Sequence, residues 1–182
     1  MTQIDRFIAA GDALLKKGLS DTEIKEIEAA AMRRLLNDST PHYPVTVNYD
    51  LTLEQMIAAG HYDETESDIT VEHFPVTGEG KVDVDIQLVP FNCVIGSDEA
   101  IRELDHMDLR PATLPELLAF GAAYPEVQRE FTILALGSVW RYRNGYWFVP
   151  FLCGYSDGER HLDLDSFEGG WDEDYLFAAV RK

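Results

Sequence analysis

The stretch Leu109-Arg110-Pro111-Ala112-Thr113-Leu114-Pro115-Glu116-Leu117-Leu118 decides how this chain folds. An arginine before a proline favours extended backbone, so the stretch begins as a link between two elements. Thr113 followed three residues later by Glu116 is a capping box, which predicts that a helix starts at this point. Its apolar side chains, Leu117, Leu118 and Phe120, predict a helix clamped against a sheet.

Short strands are predicted from this helix to the end of the chain. Phe131 to Leu136 is apolar except for Thr132 and predicts a buried strand. Asn144-Gly145 predicts a hairpin between residues 139–143 and 146–151, and Ser156-Asp157-Gly158 marks another turn. The alternation at 162–165 and the segment 175–181 predict two further strands.

Upstream of the helix, four further features are predicted from residue 41 onward. Val45, Val47 and Tyr49 alternate as in a strand, and the capping box Thr52-Leu53-Glu54-Gln55 starts a helix that ends at Gly60. Residues 69–73 and 82–88 alternate on either side of the turn Thr77-Gly78-Glu79-Gly80, which predicts a hairpin. Ser97 is predicted to cap a third helix, with acidic residues in its first turn.

Residues 1–40 predict a helical hairpin. Apolar residues recur at helical spacing up to Gly18, and Ser20-Asp21-Thr22-Glu23 starts a second helix at once. This hairpin is interpreted as a packing or dimerisation element, with a nucleic-acid-binding helix-turn-helix as the competing interpretation. The predicted fold class is therefore α+β, with a helical hairpin at 1–40 and, at 41–182, a mixed and mainly antiparallel sheet with flanking helices.

The charge of the chain is strongly acidic and unevenly distributed. The formal net charge is −18, and residues 41–110 carry 15 acidic residues against 3 basic ones. Such a surface repels nucleic acid and anionic membranes, so the predicted partner is a protein, with a basic surface preferred. There is no apolar run long enough to span a bilayer and no signal-peptide pattern at Met1–Arg6, so a cytoplasmic protein with reduced Cys93 and Cys153 is expected.

Motifs for catalysis or metal binding are missing from the sequence. The five histidines show neither HxH nor HExxH spacing, there is no Gly-x-Ser-x-Gly elbow around Ser138, and no glycine-rich phosphate loop is found. Asp163 and Asp165 share one strand face and could hold a cation together with Asp157 or Glu168, but a solvent-exposed strand face is the favoured interpretation, since no calcium-loop pattern is found. No metal, no cofactor and no catalytic residue are predicted. Acid-based hydrolysis stays open as an alternative, since the chain has 33 acidic residues.

Aromatic residues crowd the C-terminal strands. Large rings occur at both even and odd positions of the segment 140–151. Successive side chains of a strand point to opposite faces, so some rings must lie on each face of the hairpin. Two interpretations stay open: an exposed interaction surface rich in Tyr and Trp, or a sheet buried on both faces and covered by the N-terminal helices. The predicted ligand-binding residues are Tyr146, Phe148, Phe151, Tyr155, His161, Asp163, Asp165, Glu168, Trp171, Asp174 and Tyr175.

Residues 105–182 resemble C-type-lectin-like domains of the formylglycine-generating-enzyme type. The run Arg110-Pro111-Ala112-Thr113-x-x-Glu116-Leu117 is similar to the Arg-Leu-Pro-Thr-x-x-Glu helix start of that family, with proline and its neighbour transposed. Gly137-Ser138, Asp157-Gly158 and Val180-Arg181 follow in the family's order. The chain also looks like uncharacterised bacterial proteins with an Arg-Pro-Ala-Thr-x-x-Glu-Leu-Leu helix and an aromatic tail.

This resemblance implies a C-type-lectin-like fold for residues 105–182 and a binding role. The variable proteins of diversity-generating retroelements share the fold and place their diversified residues in the C-terminal strands and loops. The Glu-Pro-Asn and Trp-Asn-Asp signatures of calcium-dependent sugar binding and the family's catalytic cysteine pair are missing, so neither activity is implied. The expected function is a non-enzymatic display protein, and a hydrolase or a phage or mobile-element structural protein that assembles through its N-terminal helices are the alternatives.

Overall fold

The structure, a computed structural model, describes Ser20 and residues 41–182. The predicted helical hairpin at 1–40 lies outside the described residues. The described strands are β1 (His42–Asn48), β2 (Glu64–Thr65), β3 (Lys81–Pro90), β4 (Ile95–Gly96), β5 (Leu109–Pro111), β6 (Thr132–Leu134), β7 (Trp140–Arg141), β8 (Trp147–Gly154), β9 (Arg160–Ser166), β10 (Gly170–Trp171) and β11 (Tyr175–Arg181). The described helices are α1 (Leu53–Gly60), α2 (Ser97–His106), α3 (Leu114–Ala123) and α4 (Val127–Glu130).

Nine of these strands form one mixed sheet in the order β1-β3-β11-β6-β8-β9-β2, with β5 beside β11 and β7 beside β8. The pairs β11–β6 and β2–β9 are parallel, and the other pairs of this sheet are antiparallel. Strands β4 and β10 form a separate two-stranded ribbon. The α+β class with a large mixed sheet is therefore confirmed for the described part of the chain.

The large sheet separates two hydrophobic cores. Successive residues of β11 alternate between them, since Ala178 and Val180 join one core while Phe177 and Ala179 join the other. Helices α1 and α3 cover the first face, and α2 together with Trp171 covers the second. Because both faces of the central strands are covered, β8 buries Val149 on one side and Leu152 on the other.

The hairpin predicted from residues 69–73 and 82–88 is wrong. Residues 82–88 lie within β3, which pairs with β1 and β11, whereas residues 66–74 form successive turns. In those turns Ile69 N–H donates to Glu66 O, and the N–H groups of His73 and Phe74 both donate to Thr70 O. These local bonds bury Ile69 and Phe74 and leave Val71 exposed, which a strand with alternating faces would not do.

Three smaller predictions also need correction. Strand β6 spans only Thr132–Leu134, because Phe131 is exposed and its N–H closes the single turn α4 by donating to Val127 O. Gly96, not Ser97, is the N-cap residue of α2. The segment Leu109–Pro111, predicted as a link, is a strand that pairs with β11.

The predicted capping box at the start of α3 is confirmed and is part of a larger cluster. The buried carboxylate of Glu116 accepts hydrogen bonds from Thr113 N–H at 2.7 Å and from the Arg110 guanidinium at 2.6 and 2.9 Å. Leu114 N–H, another free donor of the first turn, is bound by Ser138 Oγ at 2.8 Å. The motif therefore fastens α3 to β5 and to the loop after β6.

Arg160 fastens the C-terminal ends of two helices. Its side chain is buried and donates to Gly60 O at 2.7 Å, to Gly121 O at 2.8 Å and to Gln128 Oε1 at 2.9 Å. Gly60 ends α1 and Gly121 lies in the last turn of α3, where carbonyl groups have no partner within the helix. The guanidinium therefore caps both helices at the carbonyl ends that favour a cation.

Candidate functional site

The hairpin of β8 and β9 is the scaffold of the candidate site. Its turn is the predicted Ser156-Asp157-Gly158, in which Gly158 has a φ of 91° and Tyr155 N–H donates to Glu159 O. In the register of this hairpin, Phe151 lies opposite Asp163 and Cys153 lies opposite His161. Residues opposite each other in an antiparallel pair share one face of the sheet, so this hairpin lines up acids of β9 beside apolar residues of β8.

This face continues the second core into solvent. Val149 is fully buried in that core and Phe151 packs against it, while the opposing side chains of Asp163 and Asp165 are only half-buried. Tyr175 at the start of β11 is also half-buried and packs against the same core. The name acidic aromatic face is used below for Phe151, Tyr155, His161, Asp163, Asp165 and Tyr175.

The rings of this face are held by defined contacts. Tyr155 is 52% exposed, and its ring centroid lies 4.4 Å from that of His161. The ring of Tyr175 lies 5.3 Å from Trp171, which is only 2% exposed. Trp171 Nε1 donates to Ser97 Oγ at 2.8 Å, so Trp171 supports the face from inside and is not available to a ligand at the surface.

The electrostatic environment of the face is anionic. Burial raises the pKa of the Cys153 thiol to about 11, with the charge of Asp163 acting in the same direction. Burial and then Asp165 raise the pKa of the Tyr175 phenol as well. At neutral pH the thiol and the phenol therefore stay protonated, so Cys153 is a buried neutral group and not an activated nucleophile.

His161 lies between two acidic side chains. Its Nε2 is 3.2 Å from the carboxylate of Glu159, and its Nδ1 is 3.9 Å from that of Glu64. Glu64 belongs to β2, which pairs in parallel with β9. Strand β2 therefore adds a further carboxylate beside the acidic aromatic face.

The other predicted site residues lie elsewhere. Phe148 is on the opposite face, where its ring centroid is 5.9 Å from Trp140. Tyr146 is 56% exposed beside the turn of the β7–β8 hairpin, and the carboxylate of Glu168 accepts from Trp147 N–H. Asp174 is exposed in the loop before β11. The structure thus brings together Phe151, Tyr155, His161, Asp163, Asp165 and Tyr175, with Trp171 beneath them.

Two neighbours of the face were missed by the sequence reasoning. Cys153 could have been found from the β8–β9 register, because the turn at 156–158 places it opposite His161. Glu64 could not, since a two-residue strand that pairs 97 positions away along the chain has no local signal.

Residues 41–182 do not form a recognisable metal site. No group of three or more His, Cys, Asp or Glu side chains there is arranged to hold a metal ion. The expectation of a metal-free protein stays a prediction. Elemental analysis of protein purified without chelator tests it, and one stoichiometric zinc or calcium per chain would contradict it.

No protein-family model, no curated protein and no solved structure matches the chain. Within the described part of the chain, no helix is long and apolar enough to cross a membrane. Its function must therefore be inferred from the geometry of its own side chains.

Proposed function

We propose that this chain is a non-enzymatic binding protein that contacts a basic protein partner through the acidic aromatic face. The observation that carries the proposal is the β8–β9 register, which sets Asp163 and Asp165 opposite Phe151 and Val149 on one half-exposed face. Apolar area beside carboxylates suits lysine and arginine side chains, whose stems are apolar and whose heads are cationic.

The charge of the whole chain favours the same kind of partner. Residues 41–110 carry 15 acidic and 3 basic residues, and residues 111–182 carry 11 and 6. A surface of this sign accelerates encounter with a basic protein and repels polyanions such as DNA and RNA.

The aromatic residues of the face supply the short-range contact. Tyr155 is exposed, and Tyr175 is half-exposed between Trp171 and the carboxylate of Asp165. Tyrosine is enriched among the residues that dominate binding energy, because it buries a large area while few rotatable bonds are frozen. Substituting either tyrosine with alanine is therefore expected to weaken binding by about 1–2 kcal/mol.

A display role of the C-type-lectin-like kind is part of this proposal for residues 105–182. Several copies of the gene that differ only after residue 140 would support diversification of the C-terminal strands and loops. For the alternatives, no described observation favours hydrolysis, since the pKa shifts of the Glu54, Asp105 and Glu116 carboxyls are all downward. The assembly alternative depends on residues 1–40, which lie outside the described residues.

A selection from a random peptide library displayed on phage, with the full chain as bait, tests the proposal. We expect the selected peptides to be rich in lysine, arginine and apolar residues. The double variant Asp163→Asn/Asp165→Asn should bind these peptides with a Kd at least about tenfold higher, which corresponds to about 1.4 kcal/mol.

The matched control is Asp83→Asn/Asp85→Asn. These acids have the same spacing and lie exposed on β3, near the other end of the sheet. The control removes the same charge, so it separates a local contact from the effect of net charge. Selected peptides that bind both double variants equally well, or that ignore Tyr155→Ala and Tyr175→Ala, would contradict the proposed surface.

A further inference from the structure

Among the described residues, the outer edge of β9 is only partly paired. Strand β2 pairs with His161 and Leu162, and Glu66 N–H then donates to Leu162 O at 2.9 Å. The pairing of β2 with β9 stops there, although β9 continues to Ser166. The remaining edge, Asp163–Ser166, ends where Gly169 N–H turns back to Ser166 O. It offers about 13 Å of strand, at ~3.3 Å per residue.

The backbone of Leu164 faces outward on this edge. Its partner in β8 is Pro150, which has no N–H and whose carbonyl accepts from Ala135 N–H in the direction of β6. Backbone groups of successive residues in a strand point to opposite edges, so residues two positions apart share an edge. Leu162 O, two residues earlier, meets Glu66 on the outer side, so Leu164 and Ser166 also point outward.

The two outward N–H groups are bound by side chains. Leu164 N–H donates to Asp163 Oδ1 and Ser166 N–H donates to Asp165 Oδ1, both at 2.7 Å. These carboxylates belong to the acidic aromatic face, so each holds a backbone donor where the carbonyl of a neighbouring strand would otherwise lie. If a carbonyl of an added strand accepted from one of these N–H groups instead, the displaced carboxylate could pair with a cation.

We infer that the edge Asp163–Ser166 is the docking site for an extended, lysine- or arginine-rich segment of the partner protein, which adds a strand beside β9 in line with β2. The inference rests on the proposed function and names the form of its partner. Carbonyls of the added strand accept from Leu164 and Ser166 N–H, and the displaced carboxylates of Asp163 and Asp165 pair with its cationic side chains.

Charge complementarity selects this occupant over a second copy of the chain. Two β9 edges placed side by side would bring four carboxylates together, with Glu64 of each copy close by. Like charges in contact oppose such a pairing, whereas a basic strand relieves the repulsion.

A synthetic peptide of about eight residues that alternates lysine and threonine is the probe, labelled with fluorescein for anisotropy measurements. On the full chain, Ser166→Pro removes an outward N–H, and Ser166→Ala is the matched control that keeps it. Both variants lose the hydrogen bond from the Ser166 hydroxyl to Glu168. Of the hydrogen bonds named here, only the one from the backbone N–H of residue 166 distinguishes them. We expect Ser166→Pro to raise the Kd at least tenfold and Ser166→Ala to change it less than about twofold.

Backbone N-methylation of the peptide tests the same edge without altering the protein. Methyl groups on the backbone nitrogens of the lysine residues block one edge of the peptide strand. Methyl groups on the backbone nitrogens of the threonine residues block the other edge. One methylated peptide should lose binding at least about tenfold and the other should keep it, because only one peptide edge meets β9.

The possible outcomes separate this inference from the proposed function. A wild-type chain that does not bind the unmodified peptide, or equal binding of both methylated peptides together with no effect of Ser166→Pro, overturns strand addition. If Asp163→Asn/Asp165→Asn still weakens the library-selected peptides in that case, the acidic aromatic face remains the contact surface and its carboxylates only protect the edge. If that double variant has no effect while Ser166→Pro does, the edge binds without the acids and the proposed function is wrong.

Discussion

At the scale of single residues, Glu116 carries a dense set of polar contacts. Its side chain is 1% exposed, and burial alone would raise the pKa of its carboxyl. Hydrogen bonds from Arg110 and Thr113 outweigh that effect and hold the pKa below its ordinary value of 4.5. A carboxylate with a depressed pKa stabilises the fold at neutral pH and loses this contribution on acidification.

We expect Arg110→Leu to destabilise the protein at pH 7 by about 2–3 kcal/mol. This value lies below the range for a fully buried pair, since the Arg110 side chain is 41% exposed to water. The loss should shrink as the pH falls below 4.5, where the carboxyl becomes protonated in the unfolded chain and then in the folded one. Urea melts between pH 7 and pH 3 measure it. Arg102→Leu, on the exposed side of α2, is the control, and an equal loss in both variants would contradict the pairing.

Among the elements, α1 and α3 depend on a strand residue for their carbonyl ends. Arg160 reaches Gly60 O and Gly121 O, which lie 100 and 39 positions away in sequence. The Tyr62 ring lies 5.2 Å from the guanidinium, and added methyl groups at Gly60 or Gly121 would collide with that ring. The glycines and the arginine therefore form one joint between β9 and the two helices.

Replacing Arg160 with methionine should destabilise the protein by about 3 kcal/mol or more, because three hydrogen bonds of a cationic group are lost and two buried carbonyls stay without a donor. Arg143→Met, on an exposed turn, is expected to change stability by less than about 0.5 kcal/mol. Thermal melts compare the two variants. A similar Tm for both would show that water can replace the guanidinium.

The distances along the chain explain which elements could be predicted. The capping boxes at Thr52 and Thr113 and the turns at 144–145 and 156–158 each depend on a few neighbouring residues, and all of them are present. The pairing of β3 with β1 was missed, because residues 69–73 alternate as well as residues 42–48 do. In the site, local alternation grouped Asp163 with Asp165, whereas only the tertiary structure buries Trp171 and turns Phe148 to the other face.

For the whole molecule, the acid excess sets how fast a partner arrives. The formal net charge of −18 creates a long-range field, and added salt screens it over a Debye length of about 10 Å at 0.1 M. The contacts of Tyr155 and Tyr175 act only at short range. The association and dissociation rates should therefore respond differently to salt.

Raising NaCl from about 50 to about 500 mM should slow association with a basic peptide about tenfold or more and change its dissociation rate much less. Stopped-flow fluorescence with the labelled peptide measures both rates. The double variant Asp83→Asn/Asp85→Asn should lower the association rate slightly and leave dissociation unchanged. A salt effect that falls mainly on dissociation would show that the acids make close ion pairs throughout the interface.

Chemical labelling of the buried thiol of Cys153 can also measure how often this sheet opens. Cys93 is exposed, whereas Cys153 is buried with its pKa raised to about 11, so an alkylating reagent at neutral pH should modify the first within minutes and the second only when β8 separates from its neighbours. Mass spectrometry of iodoacetamide-treated Cys93→Ser protein would then time that separation. A bound strand on β9 should slow the labelling, while fast labelling of Cys153 in the free protein would show that the hairpin opens readily.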